Sequence, residues 1–73
     1  MNKFLNELIE LSKSLNLEKF YDIDINEYEI KLQGFYKSDL VKDLIEKGFP
    51  ELVIEQETGY AKTQKGVFKI ILT

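Results

Sequence analysis

The chain has 73 residues, 44% hydrophobic and 32% charged, with a formal charge of −3 and a sequence pI near 4.9. That length makes one domain, residues 1–73, and the apolar content is too high for disorder. Cysteine, histidine and arginine are absent, which excludes disulfide staples, the usual zinc sets, histidine-based nucleophile pairs and bidentate arginine reading of phosphate or guanine.

An amphipathic helix is expected first. Asn2 can cap it, and Phe4, Leu8, Leu11 and Leu15 recur at helical spacing, widened by Leu5 and Ile9. Its end is expected near Asn16. Glu7 and Glu10 interrupt any short apolar leader, and no apolar run approaches the roughly 20 residues of a membrane span. A cytoplasmic location without a membrane partner is the expectation.

Residues Phe20 to Gln33 then alternate. Tyr21, Ile23 and Ile25 occupy one side of a first strand, and Tyr28, Ile30 and Leu32 one side of a second. A two-residue loop at Asn26-Glu27 would set Ile25 against Tyr28, Ile23 against Ile30 and Tyr21 against Leu32. Glu is a poor second residue for such a loop. Asp22, Asp24, Glu29 and Lys31 fall on the other side, with Glu27 at the tip. In that register Asp24 opposes Glu29, a like-charge pair that costs up to about 1 kcal/mol.

Gly34 to Lys37 reads as a turn. A second helix follows, with Ser38 as cap, Asp39 in its first turn, and Leu40, Val41, Leu44 and Ile45 facing inward. Gly48 suits the left-handed residue that ends such a helix, Phe49 can fold back onto Leu44, and Pro50 blocks continuation. Three strands are expected next: Leu52–Gln56, Tyr60–Thr63 and Val67–Leu72, separated by Glu57-Thr58-Gly59 and Gln64-Lys65-Gly66. The last strand is apolar on both sides. It must lie inside the sheet or pair with a second copy. The expected fold class is α+β, ordered α-β-β-α-β-β-β, with about five antiparallel strands and both helices on one face.

Two charged features are candidate sites. The first is acidic: Asp22, Asp24, Glu27 and Glu29 on the hairpin, read as a surface for a basic protein partner, with a solvated sheet face as the plain alternative. Metal ranks third, and the missing Asp-x-Asp-x-Asp-Gly loop excludes a calcium hand. The second is basic: Tyr60, Lys62, Lys65 and Lys69 near the C-terminus, which could stack on and neutralise a single nucleic-acid strand. Without arginine, and with an acidic pI, nucleic acid is not expected as the main partner. No phosphate loop is present, so no cofactor, no resident metal and no enzymatic activity are expected. Small domains bury a modest fraction of their surface, so a homodimer is the expected assembly.

Leu32–Gly34 closing a strand, a tyrosine and capped helix ending in Gly48-Phe49, a Glu-rich strand, Gly59-Tyr60, and the closing VFKIILT together resemble small accessory proteins of phages and prophages from low-GC bacteria. The resemblance spans about Tyr21 to Thr73 and carries no catalytic motif. It implies a protein that binds and disables a host protein, such as a CRISPR-type defence nuclease. The alternatives are a nucleic-acid-associated module and a homo-oligomeric assembly protein built through Val67–Leu72.

Overall fold

The structure, a computed structural model, describes residues 3–73. Helix α1 (Lys3–Ser12) leads through a 3-10 turn (Leu17–Lys19) into strands β1 (Phe20–Ile25) and β2 (Ile30–Gly34). Helix α2 (Ser38–Glu46) follows, then β3 (Val53–Ile54), β4 (Ala61–Lys65) and β5 (Phe68–Leu72). The 3-10 turn is an addition to the expected α-β-β-α-β-β-β order. The expected cap Asn2 lies outside the described residues.

The sheet is mixed, where an antiparallel one was expected. Its strand order is β1-β2-β5-β4-β3, and β5 runs parallel to β2. The cause is the single-helix crossover. After β2, helix α2 brings the chain back to its starting end, so β3 sets off in the direction of β2. The antiparallel pairs β3–β4 and β4–β5 then turn it twice, and β5 enters the gap beside β2 with the same sense. The parallel ladder extends past the strand ends through Ile30 N–H to Val67 O at 2.7 Å and Thr73 N–H to Gly34 O at 2.9 Å.

Both helices bury their apolar stripes on one sheet face. Leu15, Leu40 and Leu44 join Phe20, Ile30, Leu32, Ala61, Ile70 and Leu72 in a single core, with Leu8, Leu11 and Val41 packed against it. Alternation puts Asp22, Asp24, Lys31, Gln33, Lys62, Gln64, Lys69 and Ile71 on the opposite face. Among the described residues, that face carries no helix.

The second helix ends as its sequence predicts. Gly48 has φ +88°, Phe49 N–H donates to Leu44 O and Gly48 N–H to Ile45 O, each at 3.0 Å. These are the two bonds of a Schellman ending, and Phe49 is buried beside Leu44. Its start differs: Lys37 holds the cap position without a side-chain bond, and Ser38 is already helical. Helix α1 stops at Ser12, four residues before the expected end. Ser12 and Ser14 hydroxyls donate to Ile9 O and Leu11 O, turning the backbone out of the helix. Asn16 instead caps the 3-10 turn, its Oδ1 accepting from Glu18 N at 3.0 Å.

Candidate functional site

The hairpin carrying the acidic residues is tied by Asn26. Its Oδ1 accepts from Tyr28 N at 2.8 Å and Glu29 N at 2.9 Å, and its N–H donates to Glu29 O at 3.0 Å. The loop is therefore Asn26–Glu29, and Ile25 pairs with Ile30, Ile23 with Leu32, and Asp24 with Lys31. The expected register was two residues away. A two-residue loop would have demanded positive φ at Asn26, and in the type I′ form at Glu27 too, and no residue other than glycine has positive φ among the described residues. Because the shift is even, each residue keeps its face. It replaces the expected Asp24–Glu29 opposition with an attractive Asp24–Lys31 pair.

A bulge between Phe20 and Asp22 modifies the start of β1. Phe20 turns into the core against Gly34, while Tyr21, expected inside, is exposed on the surface. Its ring packs on Phe35 with centroids 5.0 Å apart, and its hydroxyl lies 3.4 Å from Thr73 Oγ1. Tyr28, also expected inside, stands at the loop tip and is 82% exposed.

Of the four candidate residues, Asp22 and Asp24 are exposed on the helix-free face of β1, two positions apart. Glu27 is exposed at the tip, and Glu29 is half-buried just before β2. Asp22 lies across from Gln33, so its neighbour on β2 is uncharged. The hairpin thus presents carboxylates along one rim of the sheet. Among the described residues, no group of three or more carboxylates converges tightly enough to hold a metal ion.

The basic candidates divide between the two faces of the sheet, with Lys62 and Lys69 sharing the helix-free one. Lys62 is paired with Glu55, and the hydrogen bond holds the Glu55 carboxyl below its ordinary value. Lys65 points to the helix side, donating to Lys47 O at 2.7 Å with its ammonium 5.7 Å from the Phe49 ring centroid. Lys69 stands on the other face beside Lys31. Strand β5, proposed from its composition as an assembly edge, is bonded to β2 on one side and β4 on the other. It offers no edge to a second copy.

Two features escaped the sequence reading. Ile23 and Ile25 point to the helix side as expected, yet they remain 38% and 36% exposed, because β1 is the outermost strand. Alternating apolar residues signal a buried face but do not say which strand is the edge. The other is a cleft of about 570 Å³ between α1 and the β4–β5 turn, floored by Phe49, Val67 and Phe68 and rimmed by Glu7, Glu10 and Lys65. Its walls come from segments far apart in the chain, which no local spacing reveals. No helix among the described residues is long and apolar enough to cross a membrane. No family model, curated protein or solved structure matches the chain.

Proposed function

We propose that this chain acts by binding another protein, with the β1–β2 hairpin as its contact surface. The observation that carries this reading is the pair Asp22 and Asp24, exposed on a rim that no helix covers, beside Glu27 at the loop tip. Aligned carboxylates on a rigid strand attract a basic surface over long range and fix its orientation on contact. Tying the loop through Asn26 keeps the ordering cost of binding low.

The narrower reading follows the phage-type resemblance. Carboxylates held on a strand are fixed anions, as phosphates are, so they can occupy a phosphate-binding site on a host defence nuclease and block it. Binding, not catalysis, is then the activity. The test is capture of partners from a bacterial host lysate by the wild type and by the Asp22→Lys, Asp24→Lys, Glu27→Lys, Glu29→Lys variant. A partner retained by the wild type and lost by the variant is the expected result. Equal retention by both would remove the acidic hairpin from the contact.

A further inference from the structure

We infer that the outer edge of β1, which no other described strand pairs, is a docking site for an extended basic segment of a partner, which adds to the sheet as a sixth strand. This inference rests on the protein-binding reading above and specifies how the contact is made.

The hydrogen-bond phase of the hairpin shows which backbone groups are open. Asn26 N–H donates to Glu29 O, so Asn26 belongs to a hydrogen-bonded pair. Pairs alternate along an antiparallel ladder. Asp24 and Asp22 therefore spend their amides and carbonyls on β2, opposite Lys31 and Gln33. Ile23 and Ile25 send theirs to the open side. Two amides and two carbonyls are thus presented in line on an edge strand of six residues. The opposite edge, β3, has only two residues and is too short to template a strand.

The same residues set the chemistry of the occupant. Next to the open backbone groups, Ile23 and Ile25 offer half-exposed apolar surface on the helix side. Asp22 and Asp24 offer negative charge on the other side. An added strand would place residues directly opposite Asp22 and Asp24 in close, non-hydrogen-bonded pairs, with Cα atoms about 4.5 Å apart. Lysine or arginine is favoured at those two positions, and apolar residues at the alternate ones. Second copies of β1 do not meet this demand. Antiparallel self-pairing with Ile23 on Ile23 sets Asp22 against Asp24, and with Ile23 on Ile25 it sets Asp24 against Asp24. The charge pattern selects a basic partner over the chain itself.

The probe is an acetylated, amidated hexapeptide of alternating lysine and valine, titrated into the isotopically labelled full chain and followed by NMR. The expected result is slowing of amide exchange at Ile23 and Ile25 by about tenfold or more, with the ladder amide of Asp24 little changed. A glutamate–valine peptide should give no slowing. In the Asp22→Lys, Asp24→Lys variant the preference should invert, the glutamate peptide now protecting the two isoleucine amides. Movement of the Asp22 and Asp24 carboxylate signals without protection at Ile23 and Ile25 would overturn strand addition while leaving the acidic-surface reading standing. No response in either would overturn both.

Discussion

At Gly34 the packing decides the residue. It closes β2 inside the core, where a turn was read from the sequence. A Cβ there would sit 3.1 Å from Lys19 O and 3.1 Å from the Phe20 ring. The ring can yield only by leaving the core it helps to fill, and the carbonyl belongs to the backbone entering β1. Gly34→Ala is expected to destabilise by about 1–3 kcal/mol, the usual range for overpacking. A urea midpoint equal to wild type would show that β1 shifts freely. The sequence could not announce this role, since a lone glycine before Phe-Tyr-Lys-Ser reads most simply as a turn. Gly48 was legible, because Lys-Gly-Phe-Pro after an apolar helical stripe spells out its own ending. Asn26 was half legible. Its turn-forming role could be read, but not that its side chain would hold two amides and move the loop by two residues.

At the scale of elements, ion pairs link segments that the sheet hydrogen bonds do not join or join only briefly. Lys19, at the end of the 3-10 turn, reaches Asp43 at 2.9 Å and Asp39 at 3.3 Å on α2. Glu55, just beyond β3, holds Lys62 of β4. Hydrogen bonds to Asp43 and then Asp39 raise the Lys19 ammonium, the Lys19 bond lowers the Asp39 carboxyl, and the Lys62 bond lowers the Glu55 carboxyl. A carboxyl lowered by folding stabilises above its ordinary value and loses that contribution as pH falls through the folded one. An ammonium raised by folding stabilises below its ordinary value and loses that contribution as pH rises through the folded one. Stability should therefore be level from about pH 5 to 10 in these terms, falling below the ordinary 4.5 of Glu55 and 3.8 of Asp39 and above the 10.5 of Lys19. Thermal melts across pH 2–7 check this: Glu55→Gln and Asp39→Asn should flatten the acid limb, and an unchanged limb would assign it to other groups. All three side chains are solvent-accessible, so the effect should also shrink with added salt. Element types and most faces were legible from periodicity. Strand ends were not: β3 keeps two residues of the five expected, and β4 runs on to Lys65. Pairing partners set those ends.

Across the whole molecule, the described helices cover one face of the sheet and leave the other without one, and its centre is held by the parallel β2–β5 pair. That pairing joins distant parts of the chain, so local patterning could not distinguish it from an antiparallel arrangement. It could show that Val67–Leu72 must be covered on both edges, and the molecule meets that need from within. A dimer formed to shelter this strand is then unnecessary, and the remaining long edge is β1. What keeps two such edges apart is visible in its side chains. Both full registers of β1 on β1 bring aspartates into opposition, and the bulge after Phe20 shortens the stretch that can pair. Neutralising the guard while keeping the shape should release it. The Asp22→Asn, Asp24→Asn variant is expected to self-associate at concentrations where the wild type does not, with Ile23 and Ile25 then buried between copies. Sedimentation of the two proteins side by side measures this. Equal masses throughout would mean that the carboxylates do not restrain the edge, and that some other feature of β1, the bulge foremost, keeps it unpaired.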